Sequence, residues 1–421
     1  MVHTRGRVSL ASLVSLASLA SLASLASLVS GCAAEATDPT TDGDSFDAVT
    51  CPSADGDAAA ALKAVAAQAE LCARDAPALP STPEVSWNHT LSRLIALEPA
   101  NHRGRDALYA VGDRQWVLGK FAYGPSDKDL KGEAVDIYVQ RGCAGAWEKL
   151  ALSRPALTTE DGEHATVEGV EDTGGRVFAE IPAAQRLGVG HHRVRMVVAG
   201  DKTFAEQRIE VLPRGATLFV SDVDGTLTER RPDDPSLACD EESDFPALWR
   251  GFSTGQKAQP FVHDGAPTLY RKLTSLGYRP MYLTARPEWL APHTHAFLSA
   301  AARGDRRGDL QQGVVHTTLG LTGAMNSAAE EFKKAELKAL VDKGFRVVLG
   351  FGNRPSDVAT YKTYGVPYRF YIENLDTSQR SCSKVTDLPL APAGVLRKGD
   401  WRIRSYGALV PLVEQAASGC R

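Results

Sequence analysis

Two acids one residue apart stand where an apolar run ends. Asp222 and Asp224 follow Ser221 after the run at residues 217–220, and Gly225 comes next. If that run is a buried strand, the spacing places one carboxylate and one backbone carbonyl side by side at the ligand-binding edge of a sheet. Such a pair of oxygens suits a hard cation, and the glycine lets the chain turn away sharply. The segment therefore predicts a cation-assisted site with a carboxylate in reach of the substrate.

The same Asp-x-Asp spacing also opens an EF-hand calcium loop. That loop needs oxygen ligands at every second position, glycine at the sixth and glutamate at the twelfth, and helices flank it. Here the glycine comes fourth and an apolar run precedes the acids. The calcium loop is therefore the less favoured interpretation.

Three later groups supply ligands for an anion and a cation. Thr284 follows the next apolar run just before a predicted helix start, and a hydroxyl beside a helix N-terminus suits an anion. Lys333 lies on a predicted helix and would reach a bound anion, although a lone helical lysine is usually solvated. Asn353 and Asp357 are four residues apart. If a helix begins between them, both oxygens turn towards Asp222.

Strand and helix patterns alternate from residue 216 onwards and would position these groups. Apolar runs occupy residues 217–220, 280–283, 313–316, 346–350 and 368–372, and helical stretches occupy 266–275, 287–302, 328–342 and 355–364. This alternation predicts an α/β fold with a doubly wound, mostly parallel sheet. Ligands of such sheets lie at the carboxyl ends of the strands, where Asp222, Thr284 and Asn353 stand, and Lys333 would reach the same edge from a helix.

Short β-branched and aromatic runs separated by glycine and aspartate turns fill residues 101–214. They include residues 115–122, 134–140, 176–181, 192–198 and 204–211. This pattern predicts an immunoglobulin-like β-sandwich without a cluster of catalytic residue types. His191 and His192 would point to opposite faces of a strand and are expected to be solvated.

The first 31 residues have the composition of an export signal. Arg5 and Arg7 precede an uncharged Ser-Leu-Ala run over residues 8–29. The following Ser30, Gly31 and Cys32 resemble the bacterial lipobox, whose cysteine is diacylated and becomes the mature N-terminus. The run is also long enough to be an uncleaved membrane anchor. Either interpretation predicts a membrane-tethered, extracytoplasmic protein of the bacterial cell envelope, on the periplasmic face or the cell surface.

Composition limits the partners of the chain. The 421 residues are 43% hydrophobic and 23% charged, which is typical of a folded globular protein and excludes a fibre or a disordered tail. The formal net charge of -4 provides no global basic field, so nucleic acid is not an expected partner.

Seven cysteines are present, and six remain if Cys32 carries lipid. An extracytoplasmic compartment permits disulfides, and the absence of a Cys-x-x-Cys pair disfavours a zinc site. Sequence alone does not fix the connectivity. Local spacing favours the pairs Cys51–Cys72, Cys143–Cys239 and Cys382–Cys420.

Taken in order, the four groups resemble the signature motifs of the haloacid dehalogenase superfamily of phosphohydrolases. The segments at residues 222–228, 282–287 and 350–358, with a His-Asp-Gly segment at 263–265, are similar to the catalytic domain of the lipins. The resemblance covers about residues 216–375. It implies a haloacid dehalogenase-like fold and the activity of a Mg²⁺-dependent phosphatidate phosphatase.

The resemblance also implies roles for individual residues. Asp222 would attack phosphorus to give an aspartyl phosphate, and Asp224 would act as general acid and then base. The other implied ligands are Thr226, Thr284 and Lys333 for phosphate, and Asp222, Asp224, Asn353 and Asp357 for Mg²⁺, with the choice between the last two open. Two alternatives remain, namely a phosphatase of soluble phosphomonoesters and a non-catalytic surface-binding lipoprotein.

The expected organisation has five parts. They are a signal peptide (1–31), a flexible tether (32–56), a helical accessory segment (57–100), the β-sandwich (101–214) and the phosphatase domain (215–421). A small cap insertion is expected at residues 229–262, where four apolar side chains either contact acyl chains or form the buried side of a cap helix: Phe245, Leu248, Trp249 and Phe252.

Overall fold

The computed structural model describes residues 56–83, 85–229, 261–300, 310–373 and 385–418. The expected signal peptide, the lipidated Cys32, the tether up to residue 55 and residues 230–260 of the cap insertion lie outside the described residues. Within the described residues, no helix is both long and apolar enough to cross a membrane.

Seven α-helices and nineteen strands are described. The helices are α1 (Gly56–Cys72), α2 (Thr90–Ile95), α3 (Ala266–Ser275), α4 (Ala291–Ala300), α5 (Asn326–Asp342), α6 (Pro355–Thr363) and α7 (Val410–Ser418). The first eleven strands are β1 (Arg103–Gly104), β2 (Ala107–Ala110), β3 (Trp116–Lys120), β4 (Ala122–Tyr123), β5 (Lys128–Asp129), β6 (Ala134–Gln140), β7 (Glu148–Lys149), β8 (Ala156–Leu157), β9 (Arg176–Glu180), β10 (Gly190–Val198) and β11 (Phe204–Leu212). The others are β12 (Thr217–Ser221), β13 (Thr228–Glu229), β14 (Phe261–Val262), β15 (Arg279–Pro287), β16 (Val314–Thr318), β17 (Arg346–Gly352), β18 (Tyr368–Ile372) and β19 (Gly399–Ile403).

Strands β1 to β11 include the two main sheets of a β-sandwich. One sheet has the order β1-β3-β9, and the other has the order β2-β11-β10-β6-β7, with β8 paired to β6. Alternating side chains of both sheets, among them Val117, Val177, Val194 and Ile209, share one buried apolar core. The predicted sandwich is therefore present.

The second half contains a six-stranded sheet of the order β16-β15-β12-β17-β18-β19, in which every pairing is parallel. On the central strand β12, Phe219 packs into the core that contains α3 and α7 residues, whereas Leu218 and Val220 pack into the core that contains α5 residues. Both faces of the sheet are thus covered, as the continuous apolar run predicts. The edge strand β19 was not predicted, because its polar, partly buried residues lack an apolar run.

The disulfide expectation was wrong at two of its three pairs. Cys72 is bonded to Cys143, with the Cα atoms 5.1 Å apart, so Cys72 does not pair with Cys51 nor Cys143 with Cys239. The reason is tertiary: α1 packs on β10 and on the 3₁₀ turn that ends at Cys143. The other cysteines lie outside the described residues.

The expectation of solvated histidines was also wrong. His191 and His192 are both buried. His191 Nδ1 lies 2.6 Å from Glu210 Oε2, and His192 Nε2 lies 2.9 Å from the Gly188 carbonyl oxygen. The sandwich core covers the face of β10 that carries Val194 and Met196, and α1 also packs on the strand, so side chains on both of its faces are covered.

Candidate functional site

The first aspartate stands at the carboxyl end of the central strand. Strand β12 ends at Ser221, and the amide of Asp222 donates a hydrogen bond to the Phe351 carbonyl oxygen of β17 at 3.0 Å. Gly225 adopts φ +69°, a left-handed conformation that favours glycine, so the chain turns away after Asp224. Register and turn together hold the Asp222 carboxylate at the edge of the sheet.

A lysine from α5 joins two carboxylates at this edge. Lys333 Nζ donates to Asp222 Oδ1 at 2.8 Å and to Asp357 Oδ1 at 2.6 Å, and all three side chains are buried. Asp357 lies in the first turn of α6, where its Oδ2 accepts hydrogen bonds from the backbone amides of Asn353 and Arg354, each at 3.0 Å. The helix start therefore orients Asp357, as the four-residue spacing predicts.

One hydroxyl serves two further oxygens of this group. Thr226 Oγ1 lies 3.0 Å from Asp222 Oδ2 and 3.1 Å from Asn353 Oδ1. A hydroxyl has a single proton, so it cannot fully satisfy both acceptors at once. Thr226 thus links Asp222 to Asn353 at the end of the sheet. The expected contact of Thr226 with phosphate stays a prediction.

The charges of this group do not balance. Burial is the main cause that raises the pKa of Asp222 to about 7; Lys333 opposes this shift, while Asp357 and Asp224 add to it. Burial alone would lower the pKa of Lys333, but the carboxylates of Asp222 and Asp357 outweigh it and raise that pKa. Two buried carboxylates thus share one ammonium group.

The donor set fits Mg²⁺. Among the described residues, no three His, Cys, Asp or Glu side chains cluster closely enough to hold a metal ion by themselves. The donors at this edge are instead two carboxylates, the Asn353 amide oxygen and the expected Asp224 carbonyl oxygen. Hard oxygen donors with unbalanced negative charge suit Mg²⁺, which usually binds few carboxylates and keeps several waters.

A second group surrounds Asp224. Arg286 Nε lies 2.9 Å from each carboxylate oxygen of Asp224, and its Nη2 lies 2.5 Å from Oδ1. Thr284 Oγ1 donates to Asp224 Oδ2 at 3.1 Å and accepts from the Arg286 amide at 3.2 Å. The end of β15 therefore supplies a threonine and an arginine to the same carboxylate.

The structure brings the sequence-predicted residues into two adjoining groups. The first contains Asp222, Thr226, Lys333, Asn353 and Asp357, and the second contains Asp224 and Thr284. Sequence reasoning missed Arg286, although an arginine two residues after the threonine of an expected anion site was a usable signal. A buried carboxylate beside a lysine, with a second carboxylate two residues later, can support phosphoryl transfer.

Comparison with known families agrees with this architecture. Residues 100–211 match the family described as PITM 1-3, beta-sandwich domain, and residues 183–383 match LNS2 (Lipin/Ned1/Smp2). Among solved structures, the M1 domain from titin aligns with a TM-score of 0.15 and 12% identity over 28% of this chain and 96% of that chain, which supports no inference.

Three curated relatives illustrate the similarity. Membrane-associated phosphatidylinositol transfer protein 2 of Mus musculus is 30% identical over 73% of this chain and 20% of its own length. Membrane-associated phosphatidylinositol transfer protein 1 of Rattus norvegicus is 29% identical over 76% and 22%, and Protein retinal degeneration B of Drosophila melanogaster is 27% identical over 68% and 19%.

The chain thus spans about a fifth of the length of the curated relatives it matches. The two matched family models lie over the β-sandwich and the parallel-sheet region. At this coarse level the LNS2 (Lipin/Ned1/Smp2) match supports the resemblance to a lipin-type phosphatase family. The family matches show a β-sandwich domain followed by an LNS2 domain.

Proposed function

We propose that this chain is a Mg²⁺-dependent phosphomonoesterase that converts phosphatidate to diacylglycerol and phosphate at a membrane surface. The observation that carries the proposal is the buried Asp222–Lys333–Asp357 group at the end of the central strand. Its excess negative charge suits a cation, and Asp224 follows the nucleophile candidate by two residues. The haloacid dehalogenase-like assignment of the fold belongs to the same proposal.

In the proposed first step, a carboxylate oxygen of Asp222 forms a bond to phosphorus, and the bond between phosphorus and the ester oxygen breaks. Asp224 enters this step protonated, which requires that Arg286 be displaced from its carboxyl group when the ester binds, and it gives that proton to the departing alkoxide. In the second step water attacks phosphorus, Asp224 takes a proton from that water, and Asp222 is released as a carboxylate. The ion pair with Arg286 keeps the Asp224 carboxylate in place for this second step.

Lys333 would hold non-bridging phosphate oxygens, where negative charge lies in the transition state, and Thr284 would do so once its hydroxyl turns from Asp224 to the phosphate. Mg²⁺ bound by Asp222, the Asp224 carbonyl oxygen, and Asn353 or Asp357 would offset the repulsion between an anionic nucleophile and an anionic ester. The three hydrogen bonds that Asp357 already accepts favour Asn353 as the side-chain ligand beside Asp222.

A lipid substrate is supported from two directions. The predicted lipid at Cys32 would hold the chain at a membrane. Two of the relatives are named as membrane-associated phosphatidylinositol transfer proteins. We expect the Cys32→Ser variant to move from the membrane fraction to the soluble fraction. Recovery of this variant in the membrane fraction would contradict the proposed lipidation.

Phosphate release tests the proposed activity. Phosphatidate in detergent mixed micelles should be hydrolysed with Mg²⁺ but not with EDTA, and faster than glucose 6-phosphate. Asp222→Asn should abolish release, whereas Asp342→Asn, which removes an exposed acid at the end of α5, should not. Undiminished phosphate release by Asp222→Asn would contradict the proposal. Faster hydrolysis of glucose 6-phosphate than of phosphatidate would indicate the alternative of a soluble substrate.

A second candidate function is binding of a phosphorylated lipid headgroup without hydrolysis. It is favoured by the relatives named as transfer proteins and by the engagement of Asp224 with Arg286. This candidate predicts binding to phosphatidate vesicles with no Mg²⁺-dependent phosphate release by the wild-type chain. The hydrolysis assay therefore separates the two candidates.

A further inference from the structure

We propose that the β-sandwich positions the site, through Arg103, Arg105 and Arg176. These arginines reach two elements of the parallel-sheet region, namely the end of β15 and helix α5, which carry the proposed phosphate contacts. The kinetic part of this inference rests on the proposed function, whereas its structural part does not. The three arginines are positioning residues, since none of them contacts Asp222 or Asp224 in the described hydrogen bonds and ion pairs.

The first connection fixes the end of β15. Arg103 Nη2 donates to Glu288 Oε1 at 3.0 Å, and Arg176 donates to Glu288 Oε1 at 2.9 Å and to Oε2 at 3.2 Å. All three side chains are buried, at 7% exposure or less. Glu288 lies two residues after Arg286 and four after Thr284. The sandwich therefore fixes the backbone that aims both of these side chains at Asp224.

The second connection fixes α5. Arg105 donates to Glu336 Oε1 and to the Thr317 carbonyl oxygen, and His316 Nδ1 lies 2.5 Å from Glu336 Oε2. Glu336 is three residues after Lys333, so the two residues lie on the same side of the helix about one turn apart. An arginine of the sandwich thus fixes the helix turn next to the lysine that joins the two site carboxylates.

Both acids keep their charge despite burial. Burial would raise the pKa of Glu288, but Arg103 and Arg176 outweigh it and hold that pKa below its usual range. Burial would likewise raise the pKa of Glu336, but Arg105 and His316 lower it to about 2. The two connections are therefore ionic, directional and withdrawn from solvent, which makes them suitable for fixing geometry.

The edge of the sandwich that faces Glu288 carries a row of three basic side chains. Arg103 pairs with Lys120 across β1 and β3, and Lys120 pairs with Arg176 across β3 and β9, so three cations stand in one row. Like charges directly opposite each other on neighbouring strands are destabilising. Asp129 compensates Lys120, Asp127 and Glu288 compensate Arg103, and Glu288 compensates Arg176. Part of the balancing charge thus comes from the parallel-sheet region.

Gly104 lets strand β1, with Arg103 and Arg105 on either side of this glycine, lie close to strand β11 of the other sheet. A Cβ atom at this position would lie 2.3 Å from the Glu206 carbonyl oxygen of β11. Any side chain would therefore push β1 away from β11. The close approach explains the glycine at the middle of residues 103–105. The arginines on either side of it contact different acids, Arg103 contacting Glu288 and Arg105 contacting Glu336.

A matched pair of substitutions at the two ends of β15 tests the inference. Glu288→Gln removes a buried charge beside the site, whereas Glu210→Gln removes one at the opposite end of the strand. There Arg279, the first residue of β15, donates to Glu210 at 2.9 and 2.8 Å, and His191 lies 2.6 Å away. Both substitutions break an ionic contact between the sandwich and the same strand, so a general loss of stability affects both.

We expect Glu288→Gln to lower kcat and kcat/KM for phosphatidate together, by roughly 10-fold to 100-fold, because misplaced transition-state contacts reduce both. Glu336→Gln should act in the same direction. Glu210→Gln should leave kcat within about twofold of wild type when assayed well below its melting temperature. Equal losses of kcat in Glu288→Gln and Glu210→Gln, or no loss in Glu288→Gln, would overturn the inference.

Amide hydrogen exchange tests the inference without any activity. Glu288→Gln should speed exchange in residues 283–290, and Glu336→Gln should speed it in residues 329–337, relative to Glu210→Gln. If the wild-type chain releases no phosphate, the proposed function fails while these exchange rates still decide the positioning role. Unchanged exchange in both segments would contradict it.

Discussion

Two buried ionic groups of this molecule differ in how their charges are matched. In the site, two carboxylates, Asp222 and Asp357, share the ammonium group of Lys333. At the contact with the β-sandwich, the single carboxylate of Glu210 has both the Arg279 guanidinium and an imidazole. Their pKa values move in opposite directions: burial dominates at Asp222 and raises its pKa to about 7, whereas Arg279 and His191 overcome burial and lower the pKa of Glu210 to about 2.

The difference distinguishes a set of charges that serves a functional site from a set that only joins parts of the fold. Perturbed pKa values occur in both kinds of group, so a shift alone does not identify a site. A buried carboxylate with too few cations costs stability, and it is retained where a ligand or metal ion supplies the missing charge. A carboxylate with a complete set of partners joins two parts of the fold.

The largest expected difference is in turnover. Asp222→Asn should lower kcat for phosphatidate by roughly 10⁴-fold or more, because it removes the nucleophile. Glu210→Gln should retain turnover, since in the described hydrogen bonds and ion pairs the Glu210 carboxylate contacts Arg279 and His191 and no site residue. Phosphate release by both variants, measured side by side with Mg²⁺, checks this. Loss of turnover in both would mean that the two groups are not functionally distinct.

Stability should show the reverse order. Glu210→Gln should lower the free energy of unfolding by roughly 3–5 kcal/mol, because it leaves the buried Arg279 without its carboxylate. Asp222→Asn should leave the free energy of unfolding unchanged or raise it, since it removes one of two carboxylates that compete for Lys333. Urea unfolding without Mg²⁺ measures both effects. A loss in Asp222→Asn as large as that in Glu210→Gln would contradict the comparison.

Mg²⁺ should stabilise the chain through the site alone. At a concentration of 100 times its Kd, a ligand of the folded state adds about 2.7 kcal/mol to the free energy of unfolding. We expect this gain in the wild-type chain and in Glu210→Gln, and its loss in Asp222→Asn and Asn353→Ala. Thermal unfolding across a Mg²⁺ titration, at constant ionic strength, provides the measurement. The same gain in Asn353→Ala would remove Asn353 from the ligands.

The smallest expected effects are in the pH dependence of stability. The pKa of Glu210 lies below its unfolded value, so its contribution is present above about pH 4.5 and is lost as the pH falls towards 2. The pKa of Asp222 lies above its unfolded value, so its contribution is present below about pH 3.8 and is lost as the pH rises through 7. In metal-free unfolding measurements, Glu210→Gln should remove the pH dependence of the free energy of unfolding only in the acidic window of Glu210. Asp222→Asn should remove it only in the window of Asp222. Flattening in the wrong window would reverse the assignment.

Local patterns predicted elements of both the β-sandwich and the parallel-sheet region. The strands Ala134–Gln140 and Tyr368–Ile372 and the helix Ala266–Ser275 have the bounds that periodicity indicates. The helical pattern from residue 355 correctly predicted the start of α6 at Pro355, which lies between Asn353 and Asp357. These features depend on neighbours in the sequence, which is why a pattern shows them.

Long-range partners were not predictable in the same way. The ion pair of Arg286 with Asp224 joins residues 62 positions apart, and the Cys72–Cys143 bond joins residues 71 apart. His191 was expected to be exposed to solvent. Strand alternation predicts the face to which its side chain points, but it does not predict which element packs on that face. Each of these contacts depends on how whole elements pack, which no local spacing specifies.

The central claim is that Asp222 carries the phosphoryl group. The most direct measurement is acid quenching of the chain during turnover of phosphatidate labelled in its phosphate, followed by peptide mapping. The account predicts a Mg²⁺-dependent, hydroxylamine-sensitive label on the peptide that contains Asp222, and its loss in Asp222→Asn. Phosphate release that proceeds with no label on Asp222, or a label that persists in Asp222→Asn, would contradict it.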